Sequence, residues 1–595
     1  MISLEYPFDG KELFENKKSI RRELLADGSK RIEKKIAVLG GSTTGDFCKL
    51  MEIFLLNQGI QPVFYQSEYA RYWDDAMFDN PELKEFAPDL IYIHTSFRNL
   101  AKWLPVMGES SEVCKSKKDA AYLHFESMWK KLREDYHCPI IQNNFEFPTF
   151  RLLGNRDCWD EHGTVCFVNE INAMLADYAR THDSFFINDI QYVSSCYGLD
   201  RWADDTVWYL YKYACALDAI PFWAFNTARI IKSIYGKNKK VLALDLDNTL
   251  WGGVVGDDGV EGIEIGHETA TSECYRAFQE YLKEQKKIGV MLTVASKNDY
   301  QNAIDGLNHP DGVLRPDDFI VIKADWENKD RNLMQTAKQM NLGVDSFVFV
   351  DDNPTERTLV SSSIDGISVP TMDSPDTYIK TIDRNGYFEA TVISEDDIKR
   401  NEMYKANAER AILEDSFTDY TEYLHSLKMG ADIKMFPEVY LARITQLTNK
   451  SNQFNLTTKR YTEEEIREAA NDGNHICLYG KMWDRFGDNG VVSVVIGEKK
   501  ATELHMQLWL MSCRVLKKDM EFAMLDTLVD RAKEQGIETV FGYYYPTAKN
   551  GMVKDLYAKF GFEKISEDET GNTVWKLSTA GYQKQNHVID VNKGE

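Results

Sequence analysis

The stretch VLALDLDNT, residues 241–249, decides how the middle of this chain folds. Four apolar residues come directly before two carboxylates, Asp245 and Asp247, which is typical of a buried strand that ends at the edge of a parallel sheet. Open parallel sheets bind ligands outside the carboxyl ends of their strands. The sequence therefore predicts a ligand-binding crevice at this strand end.

Three further apolar runs end in reactive groups. Ser296 follows GVMLTVA, Lys329 comes shortly after DFIVIKADW, and Asp351 and Asp352 follow DSFVFV. If these runs are parallel strands, all four ends converge on one crevice. A carboxylate that attacks phosphorus, Mg²⁺ held by other carboxylates, and a lysine and a hydroxyl that hold the phosphate would together perform phosphoryl transfer.

These motifs resemble the haloacid dehalogenase superfamily of phosphatases. The resemblance implies that Asp245 is the nucleophile that forms an aspartyl phosphate and that Asp247 is the general acid/base. It also implies that Thr249 supports the loop and that Ser296 and Lys329 hold the phosphate. The structural alternative is that acidic residues merely end these strands, but no folding requirement places acids at two strand ends of one crevice.

The same resemblance assigns the Mg²⁺ site to Asp245, Asp247 through its backbone carbonyl, Asp351 and, in close support, Asp352. The intervals between the motifs leave no room for a cap domain, so the crevice is expected to be open. The glycine-rich stretch WGGVVGDDGVEGIEIG, residues 251–266, is expected to form a small flap or a β-hairpin.

Longer strings extend the resemblance over most of the chain. DLDNTLWGGVVGDDGVEGI, VASKND, FVFVDDNPTER and LTNKSNQFNLTTKRYTEEEI are similar to the FkbH-like family, the capless subfamily IIIC of the superfamily. Members with an assigned role take a glyceryl unit from 1,3-bisphosphoglycerate, release its phosphate and load the acyl unit as a thioester on an acyl carrier protein. The resemblance thus implies a phosphorylated small molecule and an acyl carrier protein as partners.

Acyl transfer to a thiol favours a cysteine relay, because a thiolate is a strong nucleophile near neutral pH. Cys513, in LMSCRVL, is the preferred candidate, since it is predicted at a strand-to-helix turn where a helix N-terminus would stabilise a thiolate. Cys274, on a predicted helix, is the second choice. The alternative for either residue is a small buried side chain.

The region after about residue 426 resembles a GNAT acyltransferase. The phosphate-loop pattern Arg-x-x-Gly-x-Gly is replaced by Arg514-Val-Leu-Lys517-Lys518-Asp519, so both glycines that allow close approach of a phosphate are missing. Arg514 and Lys517 remain candidates for binding a phosphopantetheine phosphate. Tyr557 takes the place of the general acid in this resemblance, with packing on the sheet as the alternative.

The amino-terminal region resembles SGNH hydrolases. Ser42, in LGGST, matches the nucleophile, but the expected Asp-x-x-His reads Asp205 to Trp208, so the base is missing. Asn99 and Asn143 would line the former oxyanion region. We therefore expect a non-hydrolytic scaffold or carrier-docking region.

Composition limits the classes of partner. Among 595 residues, 70 basic and 94 acidic side chains give a net charge of -24, which disfavours nucleic acids and anionic membranes. No signal peptide or membrane span is evident, and ten scattered cysteines suit a reducing cytoplasm. Acyl carrier proteins are usually acidic, so docking would need a local basic patch such as Lys450, Lys459 and Arg460.

The predicted fold class is α/β with three domains: an SGNH-like three-layer domain over 1–235, a Rossmann-like haloacid dehalogenase domain without a cap over 236–385, and an α+β GNAT-like domain over 426–580. A helical connector covers 386–425 and a loose tail covers 581–595. The predicted function is Mg²⁺-dependent phosphatase chemistry coupled to acyl transfer onto a carrier thiol. Two alternatives remain: a stand-alone small-molecule phosphatase in carbohydrate or surface-polysaccharide metabolism, and a non-catalytic carrier-binding scaffold.

Overall fold

The computed structural model describes residues 2–414, 416–547 and 549–592. Asp415 of the predicted connector, Ala548 of the GNAT-like region and residues 593–595 of the predicted tail lie outside these ranges. The chain divides into two compact units, Met1–Lys237 and Asn238–Glu595, which are described separately. The three-domain division, with its boundaries, stays a prediction.

The first unit is built on a parallel sheet, the amino-terminal sheet, with strand order β2-β1-β3-β4-β5. Its strands are β1 (Ile32–Gly40), β2 (Ile60–Gln66), β3 (Leu90–His94), β4 (Ile140–Asn143) and β5 (Phe185–Asn188). Its helices are α1 (Gly10–Ala26), α2 (Gly45–Asn57), α3 (Tyr72–Met77), α4 (Pro81–Phe86), α5 (Ser111–Tyr136), α6 (Thr164–Thr181), α7 (Ile190–Tyr197), α8 (Leu199–Trp202), α9 (Asp205–Tyr211) and α10 (Ile220–Ile234).

Alternating side chains of β1 fill two separate cores. Ile36 and Val38 pack with α2 and α10 on one face, while Ala37 and Leu39 pack with α5 and α6 on the other. A strand that is buried on both faces reads as a continuous apolar run, which is how β1 appears in the sequence. This unit is therefore a three-layer α/β structure.

The second unit begins with another parallel sheet, the central sheet, with strand order β8-β7-β6-β9. Its strands are β6 (Val241–Leu244), β7 (Met291–Ser296), β8 (Phe319–Ala324) and β9 (Phe347–Val350). The helices that follow them are α11 (Val255–Asp258), α12 (Ala270–Lys287), α13 (Tyr300–Leu307), α14 (Lys329–Gln339), α15 (Pro354–Ser363) and α16 (Tyr378–Asn385). Parallel pairing places the carboxyl ends of these strands along one edge.

Helices α17 (Glu395–Ile398), α18 (Arg400–Glu414) and α19 (Tyr420–Ser426) lead into the last sheet. Helix α18 contacts both sheets of this unit. Tyr404 and Ala408 belong to a core beneath the central sheet, and Arg410 forms two hydrogen bonds of 2.7 and 2.6 Å to the Asp484 carboxylate. Arg410 and Asp484 are both buried.

The carboxyl-terminal sheet is mixed, with strand order β16-β17-β15-β14-β13-β12-β10-β18 and β11 beside β14. Its strands are β10 (Met429–Met435), β11 (Phe454–Asn455), β12 (His475–Asp484), β13 (Gly487–Lys500), β14 (Glu503–Met511), β15 (Thr539–Tyr544), β16 (Glu563–Glu567), β17 (Thr573–Ser578) and β18 (Ile589–Asn592). Its helices are α20 (Leu441–Lys450), α21 (Glu463–Asn471), α22 (Met520–Glu534) and α23 (Leu556–Lys559). The α/β class predicted from the sequence is confirmed.

Strands β14 and β15 pair over only three residues each and then separate. The pairing ends at His505 and Phe541. The segment around β11 lies in the gap, where the Leu456 amide donates to the Trp509 carbonyl (3.0 Å) and the Tyr545 amide donates to the Leu456 carbonyl (2.9 Å). The Trp509 carbonyl and the Tyr545 amide, which the separation would otherwise leave without a strand partner, are thus paired within the chain.

The expectation of a loose tail is wrong for its described residues. Strand β18 pairs in parallel with β10 at the edge of the carboxyl-terminal sheet. The Asp526 carboxylate accepts hydrogen bonds from the Tyr582 hydroxyl (2.6 Å) and from the amide of Gln585 (3.0 Å). This polar segment is thus held in place by backbone pairing and by one carboxylate. Neither interaction can be inferred from the composition of the segment. No described helix is both long and apolar enough to cross a lipid bilayer.

Candidate active site

The predicted reactive groups lie together at the carboxyl edge of the central sheet. Asp245 directly follows β6, Ser296 is the last residue of β7, and Asp351 directly follows β9. Lys329 is the first residue of α14. These four residues are buried, with between 0% and 7% of their surface exposed. The strand-end argument made from the sequence therefore holds for this edge.

Lys329 lies between two carboxylates. Its Nζ is 2.7 Å from Asp245 Oδ2 and 2.6 Å from Asp351 Oδ2. Burial alone would lower the pKa of Lys329, but the charges of Asp245 and Asp351 outweigh burial and raise it. The ammonium therefore stays charged and fixes the positions of both carboxylates.

Three carboxylates form an oxygen-rich cluster that fits a divalent cation. One oxygen each from Asp245, Asp351 and Asp352 lie within 4.8 Å of one another. Asp245 Oδ1 is buried and has no hydrogen-bond partner among the described residues. Burial, together with the nearby charge of Asp245, raises the pKa of Asp351 to about 6. Hard oxygen ligands, and negative charge that exceeds the single positive charge of Lys329, suit Mg²⁺.

Asp247 is held in a different environment. Its Oδ1 accepts hydrogen bonds from the Trp251 indole (2.9 Å) and from the Val255 amide (3.0 Å), and its Oδ2 accepts one from the Asn298 side chain (2.9 Å). Burial raises the pKa of Asp247. A carboxyl group that is oriented by three donors and holds its proton more readily is suited to general acid/base chemistry.

The loop between β6 and the flap is fixed by residues that the sequence analysis did not single out. The Asn248 carbonyl accepts hydrogen bonds from Tyr275 (3.2 Å) and Tyr378 (3.1 Å), and the Asp352 amide donates to Thr249 Oγ1 (3.3 Å). Thr249 thus links the loop after β6 to the loop after β9. Of these missed residues, Asn298 could have been identified most readily from the sequence, because it lies in the VASKND string.

The stretch that follows the loop after β6 is a closed turn rather than a regular hairpin. Gly252 and Glu264 exchange two backbone hydrogen bonds, of 3.0 and 2.8 Å, and helix α11 lies between them. Between Thr249 and Lys329, a range described in full, the chain forms core helices and strands and no additional domain. Trp326 is 71% exposed just before Lys329.

Cys513 does not lie in this crevice. Its carbonyl accepts a hydrogen bond of 2.8 Å from Asn341, in the turn before β9, so Cys513 lies near the amino edge of the central sheet. It begins a short 3-10 turn, whereas α22 begins only at Met520, so the predicted helix N-terminus is not at the thiol. Burial disfavours the thiolate, but Lys240, the Tyr404 hydroxyl and Arg514 outweigh it and lower the pKa of Cys513.

The second cysteine candidate, Cys274, is the fifth residue of α12 and is partly exposed. It directly precedes Tyr275, whose hydroxyl bonds to the loop at Asn248. Of the two candidates, Cys274 is therefore the one in an element that contacts the loop after β6.

The three predicted carrier-binding residues do not line one site. Arg514 is buried and donates to the Asn489 carbonyl (3.1 Å). Lys517 is exposed, and its carbonyl accepts a hydrogen bond from Tyr420 (2.6 Å). Tyr557 is fully buried against Gly542. A phosphate site formed by these side chains is thus not present, because Arg514 and Tyr557 point into the core.

The proposed basic patch is also not a continuous surface. Arg460 is partly buried and donates to the Ser451 carbonyl (3.1 Å), and burial lowers its pKa to about 10. Lys459 is exposed, and the side chain of Lys450 lies outside the described residues.

In the amino-terminal sheet, Ser42 has a histidine partner that sequence analysis missed. Ser42 Oγ lies 3.2 Å from His94 Nδ1 at the end of β3, and burial lowers the pKa of His94 to about 3. Asp205 instead pairs with Arg98 (2.7 Å), whose guanidinium lies over the Trp208 ring. The partner comes from a strand distant in sequence, so the Asp-x-x-His pattern could not reveal it.

The two predicted oxyanion residues of this unit are engaged within the protein. The Asn99 side chain donates to the Gly41 carbonyl (3.1 Å) beside Ser42. Asn143 accepts a hydrogen bond from Tyr92 (2.8 Å) and donates to the Thr95 carbonyl (2.9 Å). Asn99 is therefore near the serine, while Asn143 belongs to a buried hydrogen-bond network.

Two of the comparisons with known proteins found matches to this chain. Residues 35–232 match the family model of the FkbH N-terminal domain. The structure is similar to the N-terminal part of protein BF1531 from Bacteroides fragilis, which contains a phosphatase domain and was crystallised with Mg. The TM-score is 0.58 at 29% sequence identity, covering 63% of this chain and 98% of that one. No curated protein matches the chain.

Acetyltransferases are also among the similar structures. The ribosomal-protein-S18-alanine N-acetyltransferase from Escherichia coli has a TM-score of 0.21 at 12% identity, covering 26% of this chain and 99% of that one. The PaiA N-acetyltransferase from Thermoplasma acidophilum, in complex with coenzyme A, has a TM-score of 0.19 at 15% identity, covering 25% and 99%. The comparisons support the resemblance expected from the sequence: residues 35–232 match the FkbH N-terminal domain model, and the chain is similar to a structure that contains a phosphatase domain.

Proposed function

We propose that this chain is a Mg²⁺-dependent phosphatase of the haloacid dehalogenase type whose reaction is coupled to transfer of a glyceryl or similar acyl group onto an acyl carrier protein. The observation that carries the phosphatase half is the buried Asp245, which has one unpartnered oxygen and is held by Lys329 beside two further carboxylates. The similarity to a phosphatase domain crystallised with Mg supports it.

Each residue of the crevice has its own role in the proposed reaction. Asp245 attacks the phosphorus atom, and Asp247 gives its proton to the leaving oxygen. Lys329 and Ser296 hold the phosphate oxygens, and Lys329 also keeps Asp245 in position. Asp247 then takes a proton from the water that hydrolyses the aspartyl phosphate. Mg²⁺, held by Asp245, Asp351, Asp352 and the Asp247 carbonyl, would neutralise charge on the phosphate.

The absence of a cap suits a large substrate. An open crevice does not exclude water by closing its own lid, so the substrate or its carrier has to cover it. An acyl group on the long arm of a carrier protein meets this requirement. Cys513 lies beyond the opposite end of β6, about 13 Å of strand from Asp245, so a mobile arm would also be needed to connect the two positions.

A stand-alone small-molecule phosphatase is the second candidate. The inward positions of Arg514 and Tyr557 favour it, because these side chains offer no evident carrier-binding surface. In that case the regions before and after the central sheet would serve only to recognise the substrate.

The test combines both halves. Purified full-length protein is incubated with Mg²⁺, 1,3-bisphosphoglycerate generated in situ and a panel of holo acyl carrier proteins, and phosphate release and intact carrier mass are measured. A carrier mass gain that matches glyceryl supports transfer, and phosphate without a mass gain supports the stand-alone phosphatase. Retained carrier binding with neither product would support a non-catalytic scaffold. The Asp245→Asn variant should lose phosphate release, and full activity of that variant would refute the nucleophile assignment.

A further inference from the structure

Three exposed apolar side chains lie in segments that follow the strands of the central sheet at its carboxyl edge. Val254 directly precedes α11, Tyr300 begins α13, and Trp326 lies in the loop after β8. Their exposed fractions are 38%, 56% and 71%. Large apolar side chains that stay exposed beside a reactive centre are typical of a binding surface. These three residues are called the crevice rim below.

Hydrogen bonds connect two residues of the crevice rim to Asp247. The Asn298 side chain donates to Asp247 Oδ2 (2.9 Å). The next residue, Asp299, accepts a hydrogen bond of 3.0 Å from the Trp326 indole. Tyr300 directly follows Asp299. Trp326 and Tyr300 are therefore joined to the Asp247 carboxylate through consecutive residues of one loop.

The third rim residue is connected to the same carboxylate through the backbone. The Val255 amide donates to Asp247 Oδ1 (3.0 Å), and Val254 directly precedes it. Two different segments thus hold the two oxygens of Asp247, and each of them carries an exposed apolar residue. In the proposed reaction Asp247 gives its proton to the leaving oxygen, so the group bonded to that oxygen has to lie beside these segments. The crevice rim is therefore on the leaving-group side of the phosphorus atom.

Trp326 is also within reach of the phosphate position. It precedes Lys329 by three residues, which limits the distance between their Cα atoms to about 11 Å. Lys329 Nζ in turn contacts Asp245. The Asp325 amide, next to Trp326, donates to the Ser296 carbonyl (3.3 Å) and so ties this loop to the end of β7. A short substituent on the leaving oxygen can therefore reach the indole.

The indole of Trp326 is restrained at one edge and open over most of its surface. The hydrogen bond from Nε1 to Asp299 restrains the ring, while 71% of the side chain stays exposed. A ring that is already restrained loses little conformational freedom when a ligand binds. Flat and apolar groups stack on such a face, whereas a compact hydroxylated group gains little from it.

We propose that Trp326, together with Tyr300 and Val254, determines specificity by binding a flat, apolar part of the leaving group. The inference rests on the phosphatase half of the proposed function. Among the acyl and alkyl groups that this function admits, it selects those that carry such a part. The apolar contact also excludes water from one side of the open crevice.

Binding of two phosphonates tests the crevice rim without turnover, because carbon replaces the leaving oxygen and no phosphate is released. Full-length protein with Mg²⁺ is titrated in a calorimeter with 3-phenylpropylphosphonate and with propylphosphonate, which differ only in the ring. The compound with the ring should bind about tenfold more tightly. Trp326→Ala should remove most of this preference. Trp326→Phe, which keeps a flat ring but loses the hydrogen bond to Asp299, should retain most of it.

Met334→Ala is the matched control. Met334 is 52% exposed and lies in α14, the helix that Lys329 begins, but five residues further along it. This variant also truncates an exposed apolar side chain, and it should keep the full preference for the ring. Equal affinity of the parent protein for the two phosphonates, binding of neither, or an undiminished preference in Trp326→Ala would overturn the inference.

Hydrolysis separates this inference from the proposed function. The matching substrates are 3-phenylpropyl phosphate and propyl phosphate, whose alcohols are similarly acidic, so their chemical steps are comparable. The ratio of their kcat/KM values should favour the ring about tenfold in the parent protein and should fall towards one in Trp326→Ala. If the phosphonate preference depends on Trp326 but the parent protein releases no phosphate, the proposed function fails and the crevice rim remains a binding site for phosphorylated compounds.

Discussion

Replacing Lys329 with methionine removes the ammonium that lies between two buried carboxylates. At an effective dielectric constant near 20, each contact of about 2.7 Å is worth roughly 6 kcal/mol of attraction, much of which offsets desolvation. Experience with broken buried pairs indicates a net loss of about 3–5 kcal/mol, because Asp245 and Asp351 are left buried and repel each other. Methionine fills a similar volume, so packing contributes little to this figure.

Hydrogen–deuterium exchange followed by mass spectrometry measures this loss locally in the full chain. In the absence of added metal, amides of β6 and β9 should exchange on the order of a hundredfold to several thousandfold faster in Lys329→Met than in the parent protein. Adding Asp351→Asn should restore part of the protection, because only one buried carboxylate then remains.

Lys283→Met is the matched control. Lys283 contacts Asp318 at 3.0 Å, but Lys286 contacts the same carboxylate at 2.7 Å and remains in the variant. The loss should stay below about 1 kcal/mol. Unchanged exchange in Lys329→Met, or an equal effect of Lys283→Met, would refute the conclusion that Lys329 neutralises this cluster.

Two further variants test other parts of the structure. Burial raises the pKa of Glu146 to about 7, so the folded state keeps a proton that the unfolded chain loses, and Glu146 lowers stability as pH rises from about 4.5 to 7. Glu146→Gln should therefore gain stability relative to the parent by up to roughly 3 kcal/mol across that range. Exchange in β4 at a series of pH values measures it, and a pH-independent difference would contradict it. A Cβ on Gly542 would overlap the Tyr557 ring, so Gly542→Ala should destabilise the carboxyl-terminal sheet by about 1–3 kcal/mol, whereas Gly473→Ala, in open space, should not. Comparable denaturant midpoints for these two alanine variants would be inconsistent with that packing.

The site in the central sheet was predictable because its signals are local. Each apolar run ends directly in Asp245, Ser296 or Asp351, and parallel topology brings those ends to one edge. Lys329 fits the same pattern, although it lies a few residues after the end of β8, because it begins the next helix. The fold class was readable for the same reason, because buried parallel strands appear as continuous apolar runs.

Features that depend on distant segments were not predictable. His94 meets Ser42 only because β3 pairs beside β1. Arg514 points inward because the Asn489 carbonyl offers a buried acceptor, and no local pattern indicates this. Cys513 follows a strand, as expected, yet its place relative to Asp245 depends on how the carboxyl-terminal sheet packs against the central sheet. Strand β18 is short and polar, so only its pairing with β10 identifies it.

Helix α18 sets a practical limit on dissecting the second unit. If the chain is cut after this helix, the fragment with the carboxyl-terminal sheet loses Arg410, and the Asp484 carboxylate stays buried without its partner. The fragment with the central sheet then keeps α18 but no longer has the carboxyl-terminal sheet packed against it. If the chain is cut before the helix, the central sheet loses Tyr404 from its core. A fragment that carries the carboxyl-terminal sheet without α18 is therefore expected to aggregate or to express poorly. For the same reason, recombination that exchanges one sheet between related proteins would have to carry α18 and Asp484 together, which favours inheritance of the two sheets as one cassette.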